Sequence, residues 1–314
     1  MITDKAMTAP DGVHPTAKAI ADMAEPLMGD DPAALRSSRP DENPLASAKR
    51  ELANISDKLL PGPGGNLPVR IYEPKEFTSQ AALIYYHGGG FVLGNIDGHD
   101  TVCQTLAAES GYLVISVEYR LAPETKYPGA VEDSFFAYQW ALDHAAELGL
   151  APDRIAVGGD SAGGNLAITT VLKAQEAKIQ QPSYQLLYYP VTDAACDTGS
   201  YTEFAEGYFL TKEAMEWFFD HYLSDPEHAK EPLCSPLRAP DLSSMPDGIV
   251  ITAGFDPLRD EGFAYAERLQ KHGIKIPHYC FSDMIHGFIS FAGGVEAGMT
   301  ALEMGAEGLR DQLK

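Results

Sequence analysis

Gly159-Asp160-Ser161-Ala162-Gly163 places a serine between two glycines, directly after the apolar run Arg154-Ile155-Ala156-Val157-Gly158 and just before the helix-like Asn165-Leu166-Ala167-Ile168. Strand, tight turn and helix in that order can hold a serine at an unfavourable backbone angle with its hydroxyl exposed, because the glycines leave no Cβ where the turn is sharpest. Ser161 is therefore a candidate nucleophile. With glycine at 29 and serine at 17 of 314 positions, such a string arises by chance roughly 0.1 times, so alone it is weak. A second string decides more. His87-Gly88-Gly89-Gly90 follows the apolar Ala81-Ala82-Leu83-Ile84-Tyr85-Tyr86, has a chance expectation of about 0.007, and lies N-terminal to the serine, where an oxyanion loop belongs.

The rest of the chain supplies a matching frame. Short apolar runs, Pro68 to Tyr72, Ala81 to Tyr86, Tyr112 to Val117, Arg154 to Val157, Tyr184 to Tyr189, Gly248 to Thr252 and Ile276 to Phe281, read as strands. Helix-length stretches such as Gly98 to Glu109, Pro128 to Leu148, Ala162 to Lys178 and Pro257 to His272 lie between them. This alternation predicts an α/β fold with a mostly parallel sheet and helices on both faces. Residues 1 to about 50 read as an appended helical segment, with patches over Pro15 to Met28 and Pro44 to Ile55 and no strand-like run. From Ala194 to about Pro236 the rhythm breaks, and 8 of the 22 residues from 201 to 222 are aromatic against 10% in the whole chain. Those rings either pack inserted helices or line an apolar pocket above Ser161. Phe91, Tyr189, Tyr208, Phe209 and Trp217 are the candidate pocket walls.

A formal charge of −22 argues against nucleic acid or an anionic membrane as partner. Cys103, Cys196, Cys234 and Cys280 are far apart with no C-x-x-C pair, so they offer neither a zinc knuckle nor a redox motif and suit free thiols in a reducing compartment. The start lacks the apolar core of a signal peptide, and no run of about 18 apolar residues suggests a membrane span. A cytoplasmic protein is expected; the oligomeric state, a homodimer included, stays open.

A serine hydroxyl needs a base to take its proton, and the base needs a carboxylate to fix its tautomer. Where a serine elbow sits on a parallel α/β sheet, the acid and then the histidine follow it, each on the loop after a later strand. Asp256, in Gly254-Phe255-Asp256-Pro257-Leu258, and His286, in Met284-Ile285-His286-Gly287-Phe288, occupy such loops, with Asp260 as the alternative acid. His14, His144, His221, His228 and His272 fall in expected helices or the aromatic insertion, and His278 lies inside a strand. For the oxyanion, backbone N–H groups of Gly88, Gly89 and Ala162 are the expected donors, the last helped by the helix dipole. His87 reads as a brace for its loop.

At these residues the chain resembles the hormone-sensitive-lipase-like group of bacterial carboxylesterases, of α/β-hydrolase fold. The match runs through His87-Gly88-Gly89-Gly90-Phe91, Tyr119-Arg120-Leu121-Ala122-Pro123-Glu124, Gly159-Asp160-Ser161-Ala162-Gly163-Gly164-Asn165, Asp256-Pro257-Leu258-Arg259-Asp260 and His286-Gly287-Phe288, and covers about residues 56 to 314. The resemblance implies an eight-stranded, mostly parallel sheet with a helical cap made of residues 1–50 and an insertion at about 194–236, on a catalytic domain spanning 51–314. It implies Ser161 as nucleophile, Asp256 as acid, His286 as base, and Gly88, Gly89 and Ala162 as oxyanion donors. It also implies hydrolysis of small short- to medium-chain acyl esters through an acyl-enzyme, without cofactor or metal, and a bracing role for Arg120 and Glu124. Ser282-Asp283 departs from the family, whose members often carry glycine in that turn. Amide or peptide hydrolysis by the same residues is the alternative chemistry, and a ligand-binding receptor that keeps the pocket is the alternative from another class.

Overall fold

A computed structural model describes residues 2–3, 12–24, 27–38, 43–77 and 79–314. Its centre is a single sheet whose strands, in chain order, are β1 (Ile2–Thr3), β2 (Asn54–Gly62), β3 (Gly65–Glu73), β4 (Ala82–Tyr86), β5 (Leu113–Val117), β6 (Ile155–Asp160), β7 (Gln185–Tyr188), β8 (Gly248–Phe255) and β9 (His278–Ile285). They lie side by side as β1-β9-β8-β7-β6-β4-β5-β3-β2. The block from β5 through β4, β6, β7 and β8 to β9 is parallel. The β2–β3 hairpin and the two-residue β1 pair antiparallel at the edges. Eight strands, β2 to β9, form the expected mostly parallel sheet, and β1 adds a short ninth at one edge.

The parallel strands β4 to β8 are buried at every position, which is why they appear in the sequence as unbroken apolar runs. Alternate residues still go to opposite faces. Ala82, Ile84 and Tyr86 join a core built with α4 (Gly129–Asp143), α6 (Ala162–Ala177) and α9 (Arg259–Lys271), whereas Leu83 and Tyr85 join one built with α1 (Pro15–Met23), α3 (Asp100–Ser110) and α10 (Glu296–Gln312). The remaining helices, in chain order, are α2 (Pro32–Ser38), α5 (Ala145–Leu148), α7 (Gly199–Glu203) and α8 (Lys212–Tyr222). None of the helices among the described residues is long and apolar enough to cross a membrane.

Two expectations at the N-terminal end are corrected. Pro44 to Ile55 is not helical: residues 43–53 form a turn and then continue without regular structure, with the Arg50 amide bonded to Gln104 Oε1 and the Ala53 amide to the carbonyl of Glu73, and β2 begins at Asn54. Tertiary partners on α3 and β3 thus take the backbone donors that a helix would have used internally. The segment also holds a strand-like pair, since Ile2 and Thr3 lie along Phe281 and Cys280. The Pro15 to Met28 patch yields α1, capped by the His14 side chain and started by Pro15, and residues 25–26 of that patch lie outside the described residues.

The insertion carries α7 and α8. Thr211 caps α8 by accepting from the Ala214 amide at 3.0 Å. The helix buries Ala214, Met215, Phe218, Phe219 and Tyr222 against the core that contains α6. From the opposite end of the chain, Leu27 and Leu35 pack against the same core, and Arg36 on α2 pairs with Glu124.

Candidate active site

Ser161 stands where β6 ends and α6 begins, at φ 56° and ψ −119°. Such a conformation costs a non-glycine residue about 1–3 kcal/mol, so its surroundings must hold it. Its amide donates to the Tyr188 carbonyl at 2.9 Å, and its own carbonyl accepts from the amides of Asn165 at 3.2 Å and Val191 at 3.0 Å. Gly159 and Gly163 let the turn pass close beneath β4: a Cβ on either would collide with the Tyr86 carbonyl oxygen.

β8 and β9 bring the other two side chains. The pairing of these strands shifts register between Ala253 and Phe255, and the chain then leaves the sheet at Asp256. One Asp256 oxygen, Oδ1, accepts from the Leu258 amide at 2.8 Å, and the other, Oδ2, lies 2.7 Å from His286 Nδ1. His286 follows β9 directly, and its Nε2 lies 3.0 Å from Ser161 Oγ. The carboxylate is wholly buried and the imidazole nearly so, with Ser161 7% exposed. Carboxylate, imidazole and hydroxyl therefore form one continuous hydrogen-bonded chain ending on the Ser161 oxygen. Asp260, the alternative acid, is occupied elsewhere: it accepts from the Ser200 amide at the start of α7 and pairs with Arg259.

The structure corrects one of the expected oxyanion donors. The Gly88 amide donates to Asp160 Oδ1 at 3.0 Å, so its N–H is engaged and turned toward a carboxylate. The amides of Gly89 and Gly90, one and two residues on, donate to no protein acceptor among the described residues; the turn is closed instead by Val92 and Leu93 donating to the Gly89 carbonyl. Ala162 is the first residue of α6, where an N–H has no partner within the helix. Gly89, Gly90 and Ala162 are thus the backbone donors left for a ligand. The sequence reading missed Gly90, because four consecutive letters do not say which peptide of a loop turns inward.

The expected pocket aromatics divide. Tyr189 is buried behind the relay with its ring 4.6 Å from that of His286. Phe209 lies on Gly287, and a Cβ there would stand 3.2 Å from its ring. Tyr208 stands on Phe204 and Phe255. Phe91 is a correction: stacked on Tyr222 at 3.9 Å and 1% exposed, it belongs to the core beneath α8 and is no pocket wall. The indole N–H of Trp217 donates to the Gly29 carbonyl at 3.1 Å and ties α8 to the N-terminal segment, with its ring edge-on to Phe218 at 5.3 Å. Phe218, overlooked in the sequence, lies over Gly90 so closely that no side chain fits there. Its signal was present only as one aromatic among eight.

His87 braces its loop, its Nδ1 lying 2.8 Å from the Gly88 carbonyl and its ring stacked on Tyr119 at 4.3 Å. Arg120 closes a bidentate pair on Asp133.

Comparison with known proteins places this geometry among relatives. A family model described as the α/β-hydrolase fold matches residues 83–290. The chain is 41% identical over 258 residues to the carboxylic ester hydrolase LipN of Mycobacterium tuberculosis, covering 79% of this chain and 69% of that one. It is 38% identical over 266 residues to an ethyl acetate hydrolase of Pseudomonas putida, covering 82% and 83%. Among solved structures, the thermostable carboxylesterase EstE1 from a metagenomic library superposes with a TM-score of 0.86 at 42% identity, covering 90% of this chain and 98% of that one. Fold, motif positions and kinship agree, and the chain belongs to the α/β-hydrolase family, in its hormone-sensitive-lipase-like group of carboxylesterases.

Proposed function

We propose that the protein is a serine carboxylesterase acting on small esters of short to medium acyl chain, with Ser161 as nucleophile, His286 as general base and acid, and Asp256 as the residue that orients His286. The observation that carries this reading is the unbroken relay from Asp256 Oδ2 through His286 to Ser161 Oγ, at 2.7 and 3.0 Å. His286 Nε2 takes the hydroxyl proton as Oγ attacks the ester carbonyl. Asp256, accepting from Nδ1–H, holds the correct tautomer and stabilises the imidazolium. The tetrahedral oxyanion forms against the amides of Gly89, Gly90 and Ala162, each worth about 3 kcal/mol of barrier by analogy with single-donor deletions. Nε2 then returns the proton to the departing alcohol, and a water deprotonated by the same nitrogen frees the acid. Chain, ester and water supply every proton and electron pair.

In this reading residues 1–50 and about 194–236 form a cap on the catalytic domain 51–314. The Trp217–Gly29 bond, the Phe218 ring on Gly90 and the Phe209 ring on Gly287 support it, because they join the two segments and set apolar rings on both catalytic loops. Such walls favour small apolar esters, as the name of the Pseudomonas putida relative suggests for that protein. Four free, buried cysteines suit a cytoplasmic setting.

Replacing Ser161→Ala is expected to reduce hydrolysis of p-nitrophenyl butyrate to background with the circular dichroism spectrum unchanged. Retained turnover would remove Ser161 from its role. A p-nitroanilide of the same acyl group, run beside the ester, separates esterase from amidase, and a series of p-nitrophenyl esters from acetate to laurate measures the depth of the pocket.

A further inference from the structure

Asp160 takes no part in the relay, yet it is 4% exposed and held on all sides. Its Oδ1 accepts from the Tyr85 hydroxyl at 2.7 Å and from the Gly88 amide at 3.0 Å, and its Oδ2 lies 3.4 Å from His99 Nε2. The other nitrogen of that ring, Nδ1, lies 3.2 Å from the Asn95 carbonyl. A carboxylate at ion-pair distance from Nε2 and a carbonyl beside Nδ1 both only accept, so these surroundings favour the doubly protonated ring.

The groups around this pair leave the charge in place. His87, 5.4 Å away ring to ring, has its Nε2 buried with no hydrogen-bond partner, so a second proton there has no acceptor and the ring competes poorly with His99 for charge. Burial, reinforced by the charge on His99, pushes it down to about 3. Glu118, which accepts from the Ile96 amide, adds a distant negative charge on the next strand's loop. Burial works against the charge on His99, but Asp160 outweighs it and holds the histidine above its ordinary value. In return His99 and Tyr85 hold the Asp160 carboxyl below its ordinary value despite burial.

The pair sits at a junction. Asp160 is bonded through its main chain to Ser161, through Tyr85 to β4, and through Gly88 to the loop that carries the Gly89 and Gly90 amides. The direction of the Gly88 N–H fixes how that loop leaves β4, and hence where the next two amides stand relative to the nucleophile. We propose that His99 is a positioning residue for ester hydrolysis: as the charged partner of Asp160 it keeps that carboxylate on the Gly88 amide, and so keeps the Gly89 and Gly90 amides where the oxyanion forms, an inference that rests on the function assigned to Ser161 above. Oxyanion donors act on the tetrahedral state more than on the bound ester, so the loss on disturbing the pair falls on kcat.

The test compares His99→Gln, Asp160→Asn and the double variant, using p-nitrophenyl butyrate and an alkyl trifluoromethyl ketone, which adds to a serine as a tetrahedral oxyanion. In H99Q, kcat is expected to fall by about fivefold or more with KM within about twofold, and the ketone to bind more weakly by a similar factor. The double variant is expected to lose no more than D160N alone. A smaller fall in kcat, a fall without weaker ketone binding, or multiplicative losses in the double variant overturn the proposal. Nitrogen-15 spectra of the wild-type protein at pH 7 test it without any substitution: His99 is expected to show an imidazolium, and a neutral ring overturns it. An active S161A variant brings down the underlying function as well, whereas an inactive S161A beside an unimpaired H99Q brings down only this inference.

Discussion

The hydrogen bond between His286 Nδ1 and Asp256 Oδ2 makes the carboxylate an acceptor at a site where an amide of the same shape can present a donor instead. Asp256→Asn therefore tests tautomer control with little change in volume. Its kcat on p-nitrophenyl butyrate is expected to fall by about 10⁴, as for the equivalent change in another serine hydrolase, with the thermal midpoint close to wild type. A loss below tenfold would show that Asp256 does not orient the base. At this scale the relay was legible in the sequence, because each member follows a strand and the order along the chain is set by the topology. Which amides of the proposed oxyanion loop are free was not legible: His87-Gly88-Gly89-Gly90 marks the place, but Asp160 claims the Gly88 amide, and that contact joins residues 72 positions apart.

Between elements, the elbow depends on how closely α6 approaches β4. A Cβ on Gly163 would meet the carbonyl oxygens of Tyr86 and His87, backbone atoms that cannot rotate away. Gly163→Ala is expected to destabilise the fold by about 1–3 kcal/mol or more in urea titration and to cut activity further than the stability loss explains, since α6 carries Ser161 and Ala162. An unchanged midpoint would mean that the helix can shift away at no cost. The apolar parallel strands were readable because burial on both faces leaves nothing to alternate. By contrast β2 was missed: its residues are largely exposed and include Asp57 and Lys58, so its pairing with β3 has no hydrophobic signature. Helix α10 escaped notice for a different reason. Gly298, Gly305 and Gly308 lower its intrinsic propensity, and packing against α3 and the sheet sustains it.

Across the whole molecule, one buried acid ties the ends of two distant segments. Glu261 on α9 accepts from the amides of Thr192, at 2.5 Å, and Asp193, at 3.2 Å, just where the chain leaves β7 for the aromatic insertion. Burial pushes its carboxyl up to about 8 against the pull of those amides. The folded protein then holds a proton that the unfolded chain releases above about pH 4.5, so this contribution to stability is complete below that pH and is lost as pH rises toward 8. Urea midpoints of the wild type are expected to decline from pH 5.5 to 8, at up to about 1.4 kcal/mol per unit, and Glu261→Gln, which preserves the acceptor, is expected to flatten the decline. An equal slope in both proteins would rule out the buried proton. By itself the sequence determined the α/β class, the strand that presents Ser161 and the loops of Asp256 and His286, because burial patterns and turn-forming glycines are local properties written in neighbouring residues. Tertiary structure alone decided that Asp160 takes the Gly88 amide, that Phe218 covers Gly90, and that Asp160 and Glu261 are buried with partners. Each of those depends on groups far apart in the chain competing for one donor or one volume, and no local pattern records the outcome of that competition.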